Sequence, residues 1–263
     1  VERLKRHDIE NFRRMRIEAI GLRGIPDIRP GDNLAEIILD AIERNNLKLE
    51  DGDIIAITEK VVSKSEGRLL RLDEIKPSDR AVELSKKTGK DPRIVEAILG
   101  ESRDILGVGE NFIVVETNHG FICANAGVDQ SNVEEGMLKL LPTDPDRSAE
   151  EIRRRLEKET GKKLGVIIVD SWGRPFRYGS VGFAVGASGV RMLWDRRGEK
   201  DLYGRRLEVT RVAVGDCLAS LASLVFGEAG EGVPCAVIRG FNLEGKGKAR
   251  DLLREKEKDI FRR

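Results

Sequence analysis

The sequence predicts a mixed α/β fold, and three observations carry that expectation. Apolar runs with strand character recur along the whole chain, and amphipathic stretches with helix-capping residues lie between them. Neither a GxxxxGK[ST] phosphate loop nor a strand–GxGxxG–helix fingerprint is present, so the mixture is not one of the common nucleotide-binding folds. At 263 residues the chain can bury a substantial core as one large domain or two smaller ones, and no repeat or low-complexity linker marks a boundary. The expected organisation is an N-terminal extension over residues 1–14 and a folded body over 15–263.

Taken in order, Met15 opens MRIEAIGL, whose alternation fits a strand. Asn33 followed by Glu36 forms a capping box ahead of Leu34, Ile37, Ile38, Ala41 and Ile42, the buried face of a helix. DIIAIT (Asp53–Thr58) follows as a buried strand. Asp91 then Pro92 starts a second helix, since Asp caps free amides and proline loses nothing at the first helical position; Ile94, Val95, Ala97 and Ile98 form its apolar face. NFIVVET and GFICANAG read as strands of a hairpin joined at Asn118-His119-Gly120. Ser148 with Glu151 is another capping box, opening a charged helix that buries Ile152 and Leu156 and ends at Gly161. GVIIVD is a core strand, followed by a glycine-rich stretch to Gly189, the charged loop DRRGEKDLYGRR and the strand LEVTRVAV. Asp216 caps a helix through Phe226, Gly227 stops it, VPCAVIRG is the last strand, and the tail after Gly245 reads as a charged surface helix.

Composition excludes several functions. The 47 Lys+Arg against 46 Asp+Glu leave a net charge of +1, so no global field attracts nucleic acid or an anionic membrane, and anion binding falls to local clusters. No run approaches the ~20 apolar residues of a membrane helix, and the charged start lacks a signal sequence, which predicts a cytoplasmic location. Cys123, Cys217 and Cys235 are far apart among apolar neighbours and read as buried small hydrophobes. With only His7 and His119, and no cysteine at ligand spacing from either, no imidazole or thiolate metal site is expected, and oxygen-ligand metals stay open. No GxSxG elbow is present to suggest a serine hydrolase.

Four local patterns carry chemistry. FICANAGVD ending at Asp129 and GVIIVD ending at Asp170 place carboxylates at strand ends, where they can meet hard cations without full burial; aspartates there also cap turns and following helices, and both readings stand. In FGEAGEGVP, glycines alternate with Glu228 and Glu231, suiting backbone approach to phosphate and a carboxylate for its counter-cation, although a glycine-rich turn after a helix is common punctuation. In KVVSKSEG, Lys60 and Lys64 suit phosphate, or are lysines on a strand edge. Arg174 and Arg177, close to Asp170, are candidates for the phosphodiester or carboxylates of a polyanionic substrate, with plain solvent exposure as the alternative.

Read together, GIPDIRPGDNL, VVSKSEGR, NAGVDQSNVEEG, LLPTDPDRSAEEIRRRL, GVIIVDSWGRPFR, VGFAVGASGV, DLYGRRLEVT and GEAGEGVP occur in that order between about Met15 and about Gly240. The ordered set resembles the coenzyme F420-0:L-glutamate ligase, or F420 γ-glutamyl ligase, family. The resemblance implies a mixed-sheet fold in an intertwined homodimer. It also implies a GTP-dependent enzyme with two divalent cations, Mn²⁺ or Mg²⁺, and K⁺, which adds L-glutamate to coenzyme F420-0 and then γ-linked glutamate to the product. Carried onto this sequence, it puts one metal on Asp129 and Asp170 and the second on Ser171 and Glu228. It assigns GTP contacts to Ile25, Pro26, Asp27 and Ile28, to Glu59, Lys60, Lys64 and Asn132, and to the loop Phe226, Gly227, Glu228, Ala229, Gly230, Glu231, Gly232 and Val233. Ser171 departs from the threonine frequent in the family but also offers oxygen. In the implied chemistry an acyl phosphate forms and the glutamate amine displaces phosphate, with Asp129, Asp170 and Lys64 as the catalytic set, Lys64 clamping phosphate. A two-metal nucleotide phosphohydrolase and a non-catalytic deazaflavin- or nucleotide-binding protein are the rival readings.

Overall fold

The run IIAIT has no polar side chain until its last residue, so it suits a strand covered on both faces, and it lies at the centre of the main sheet. The computed structural model describes residues 16–240 and 244–262; the expected extension over residues 1–14 lies outside them. In the first half of the chain the elements are β1 (Glu18–Leu22), α1 (Leu34–Arg44), β2 (Ile54–Thr58), α2 (Glu59–Ser65), β3 (Leu69–Arg71), α3 (Asp79–Thr88), α4 (Pro92–Gly100), β4 (Ser102–Gly109), β5 (Phe112–Thr117) and β6 (Ile122–Ala124). The second half adds β7 (Met137–Lys139), α5 (Pro145–Thr160), β8 (Gly165–Arg174), β9 (Arg177–Ser188), β10 (Leu193–Asp195), β11 (Arg211–Ala213), α6 (Val214–Phe226) and β12 (Cys235–Arg239). None of the described helices is long and apolar enough to cross a membrane.

The main sheet has the order β1-β12-β2-β8-β9, antiparallel except for the parallel β2–β8 pair. Its apolar faces and the buried sides of α1, α5 and α6 form the larger core, centred on residues such as Ile55, Ile57, Ile167 and Val237. A second core gathers Ala81, Leu84, Val95, Ile98, Ile113, Val115, Val128 and Leu138 from α3, α4, the β4-β5-β6 sheet and the β3–β7 pair. The chain is therefore a mixed α/β fold with several sheets.

The β5–β6 hairpin, the Asp91 cap of α4 and the Gly161 stop of α5 match the sequence reading. Other details differ. Asn33 makes no cap bond to the α1 backbone; its amide instead donates to Glu36 at 2.6 Å. α5 begins at Pro145 under Asp144, which accepts from the Arg147 amide, so Ser148 sits inside the helix. Asp216 also lies inside a helix, α6, and accepts from the Ala184 amide of β9 at 3.1 Å. LEVTRVAV is strand only over β11, and the tail after Gly245 forms short 3-10 turns. Cys123 and Cys235 are buried, but Cys217 is exposed on α6.

The glycine-rich stretch is β9, a long strand whose glycines admit close neighbours. A Cβ on Gly182 would come within 2.3 Å of the Ala219 carbonyl of α6, and one on Gly186 within 2.4 Å of the Pro145 carbonyl of α5. The absent side chains thus let both helices settle against β9.

Candidate active site

Where the two cores meet, a cleft of about 490 Å³ opens. It is built from the segment after β1, the start of α2, the loop after β6, the middle of β8, and the end of α6 with the loop that follows. Every residue expected at the site lines it except Glu231, Arg174 and Arg177. Glu231 folds back within its loop and accepts from the Ala229 amide at 2.8 Å. Arg174 and Arg177 face each other at the turn of the β8–β9 hairpin, where Arg174 donates to the Gly179 carbonyl.

The two aspartates are not strand-end residues. β6 stops at Ala124, because Asn125 and Ala126 take left-handed conformations (φ 56° and 54°) that no strand continues through. Asp129 then pairs by backbone with Lys139 of β7, its amide donating at 3.0 Å and its carbonyl accepting at 2.8 Å. Asp170 lies within β8, opposite Phe183, since the strand runs on to Arg174. Its neighbour Ser171 points to the other side of the strand and donates to Glu228 Oε2 at 2.9 Å.

Lys60 and Lys64 are on a helix, α2, not on a strand edge. Val61, Val62 and Ser63 are buried, and the spacing of four brings the two ammonium groups to one side of the helix, facing the cleft. Lys60 contacts Asp129 Oδ2 at 2.7 Å and donates to the Ser131 hydroxyl, which itself donates to Asp129 at 2.6 Å. Burial works against ionisation of Asp129, but these donors outweigh it and hold the carboxyl at about 2. Lys64 bonds Asp27 at 2.7 Å and keeps it below the usual carboxylate range. Asn132 reaches across to the Ala229 carbonyl at 3.5 Å, bridging the two loops.

Beneath these groups Glu59, expected as a nucleotide contact, is paired with Lys139, which sequence reasoning missed. The Lys139 ammonium, 1% exposed, bonds the Glu59 carboxyl, 2% exposed. Burial pushes Glu59 up to about 8; Lys139 pulls the other way, and the Asp170 charge adds to the rise. Burial also disfavours the Lys139 charge, but Glu59, Asp170 and Asp129 together raise its pKa, so it stays an ammonium. The sequence signal was a single lysine inside MLKLL, a position where the side chain is either buried with a partner or breaks the pattern. Ser131 and Trp172 were missed in the same way, although both sit in motifs that were singled out.

Among the described residues no three carboxylate, imidazole or thiolate side chains converge as a metal cage. The oxygen donors that line the cleft form a smaller set instead: Asp129, Asp170, Ser171 and Glu228, the last two hydrogen-bonded to each other. Such a set fits hard cations that take one or two carboxylates and complete their shell with substrate phosphate oxygens and water.

The chain matches the family model described as F420-0:Gamma-glutamyl ligase over residues 23–240. It is 55% identical to the coenzyme F420:L-glutamate ligase of Methanothermobacter thermautotrophicus over 251 residues, 94% of this chain and 100% of the relative. Its identity to the enzyme of that name from Methanocaldococcus jannaschii is 54%, over 94% and 97% of the two chains. With that of Archaeoglobus fulgidus it is 47%, over 95% and 98%.

Proposed function

Because the chain belongs to the F420-0:Gamma-glutamyl ligase family, we propose that it adds L-glutamate to coenzyme F420-0, and γ-linked glutamate to the product, using GTP at this cleft. The observation that carries the reading is the meeting of two kinds of group in one cleft. Carboxylates suited to hard cations lie beside two lysines and a glycine loop suited to phosphate.

A carboxylate acylates an amine poorly because its leaving group would be oxide. In the proposed sequence a carboxylate oxygen of the acceptor attacks the γ-phosphorus of GTP, the bond to the β-phosphate breaks, and GDP leaves. The glutamate amine then attacks the acyl carbon, the C–O bond to phosphate breaks, and the amine proton passes to solvent or base. Asp129 and Asp170 would hold one divalent cation, Ser171 and Glu228 the other. When bound, Mn²⁺ or Mg²⁺ supplies charge neutralisation and alignment of the phosphates, with K⁺ as an accessory ion. Lys64 exchanges Asp27 for a phosphate oxygen, and Lys60 is within reach of the same substrate; Ile25 to Ile28, Asn132 and Phe226 to Val233 line the nucleotide. The glycines let loop amides approach phosphate.

A second copy of the chain completes the reading. Tyr178 at the hairpin tip, Leu202, Tyr203 and Val209 in the loop between β10 and β11, and Leu224 on α6 are large apolar side chains almost wholly exposed, which suits an intertwined homodimer.

Mass spectrometry of coenzyme F420-0 incubated with the protein, GTP, Mn²⁺ and glutamate tests the function, with addition of glutamyl residues expected. Phosphate release without glutamate consumption would replace it with a nucleotide phosphohydrolase, and binding without turnover with a non-catalytic binding protein.

A further inference from the structure

Both oxygens of Asp170 already carry one neutral donor. The Ser171 amide donates to Oδ1 at 2.8 Å, and the Trp172 indole N–H donates to Oδ2 at 2.6 Å. A carboxylate has about four acceptor positions, so two well-placed donors fix its plane and leave lone pairs for a further ligand. Trp172 reaches Asp170 because the two are separated by one residue on an extended strand and so share a face.

The indole is itself held in place. Phe183, opposite Asp170 on β9, stacks on it with centroids 5.0 Å apart and planes at 24°, and Phe121 packs at 5.7 Å and 53°. Phe121 in turn stacks on His119 at 5.9 Å, whose Nε2 lies 2.9 Å from the Pro142 carbonyl and 3.2 Å from that of Thr143. An aromatic row therefore runs from the turn before α5 to the carboxylate. Trp172 is not among the residues lining the cleft and Asp170 is, so the direct route from the indole to a species bound there is through Asp170.

The contrast with Asp129 gives the row its meaning. Asp129 is oriented by the Lys60 ammonium, which also neutralises it. The indole orients Asp170 without adding positive charge of its own, so, beyond what the Lys139 ammonium already takes, it leaves the attraction of the carboxylate for a cation undiminished. We infer that Trp172 is a positioning residue which locks the Asp170 carboxylate in a cation-accepting orientation; the inference rests on the reading of Asp170 as a cation ligand.

The test is Mn²⁺ binding by the full-length protein, followed by electron paramagnetic resonance of the free ion, with and without a non-hydrolysable GTP analogue and corrected for Mn²⁺ bound to the analogue alone. Trp172→Phe keeps an aromatic ring and removes the N–H. Replacing Trp172 by β-(benzothiophen-3-yl)alanine removes the N–H from a ring of nearly the same shape, and serves if the Phe variant does not fold. The expected result is a loss of roughly 10–100-fold in Mn²⁺ affinity, the range for outer-shell partners of metal ligands, with the melting temperature of the benzothienyl variant unchanged. In a Mg²⁺ titration of the wild type, the indole N–H resonance of Trp172 should move and that of Trp194 should not. Wild-type affinity in the benzothienyl variant, with Mn²⁺ binding lost in Asp170→Asn, would overturn the role of Trp172 alone. Unaltered binding in Asp170→Asn, or no binding by the wild type in either condition, would instead overturn the underlying reading of Asp170.

Discussion

Replacing Lys139 with Met keeps most of the buried stem and removes the charge, so it isolates what the ammonium does. In the wild type that charge faces Glu59, Asp170 and Asp129 in a place water does not reach. Breaking a buried ion pair from one side costs about 3–5 kcal/mol, because the partner is left uncompensated. With burial having moved it to about 8, Glu59 holds its proton at pH 7 and the variant loses a charge-assisted hydrogen bond, so the cost should lie at or below the lower figure, about 3 kcal/mol. Against a total stability of about 5–15 kcal/mol that is a large fraction. The assay is urea denaturation with EDTA present, read as a shift in midpoint at constant slope. Combining Lys139→Met with Glu59→Leu removes both polar groups, and buried pairs replaced by apolar side chains of similar volume are often neutral or stabilising, so the double variant should regain most of the loss. A single-variant cost below about 1 kcal/mol, or a double variant no more stable than the single, would refute this account of the pair.

The pair also predicts a pH effect. Glu59 has a folded-state value, about 8, above its ordinary 4.5, so its contribution to stability is complete below pH 4.5 and is lost as pH rises through about 8. Glu59→Gln should therefore flatten the stability profile between those values in EDTA; parallel profiles for the two proteins would contradict it. Gly182→Ala drives a methyl into the Ala219 carbonyl and should destabilise by about 1–3 kcal/mol. Gly173→Ala, with open space at its Cβ, should leave the melting temperature nearly unchanged, and thermal scans of both glycine variants check the pair of expectations. Glu228→Gln preserves an acceptor for Ser171 but removes a carboxylate, and should lower glutamate ligation by at least the roughly 10–100-fold typical of weaker outer-shell losses. Its melting temperature should stay near that of the wild type.

Legibility differed sharply between local signals and tertiary ones. The Asp91-Pro92 cap, the hairpin at Asn118-His119-Gly120 and the apolar run of β2 are determined by a few adjacent residues, and the structure has them where the sequence implies. For KVVSKS the sequence leaves a strand edge open as one setting for Lys60 and Lys64, since its apolar residues are too few to show a period. Placed directly after β2, the same residues bury Val61 and Val62 with helical spacing. β9 was hidden because glycine carries no periodic signal; its strand character comes from pairing with β8 and from two helices that need its missing side chains. The cleft was legible as a set of motifs, but the partners of its acids were not. Nothing local to Asp170 or Asp129 shows that the Lys139 ammonium acts on both of them as well as on Glu59.

That hidden lysine explains how a site can be held across two cores. Asp129 follows Val128 of the smaller core, whereas Asp170 and Glu59 belong to strands and helices of the larger one. Lys139 fastens Asp129 by two backbone hydrogen bonds, and its flanking Leu138 and Leu140 anchor it in the smaller core. Its side chain crosses to Glu59 at the start of α2, the helix that also carries Lys60 back to Asp129. The path Asp129, Lys139, Glu59, Lys60 and Asp129 is thus closed, and each link is a backbone pair, an ion pair or a chain neighbour. Closure matters to the proposed chemistry because hard cations tolerate only small errors in donor position. A single hinge between the cores would let Asp129 drift against α2, whereas a closed loop of short contacts fixes its position relative to Glu59, with two of the groups of the loop buried out of reach of competing water.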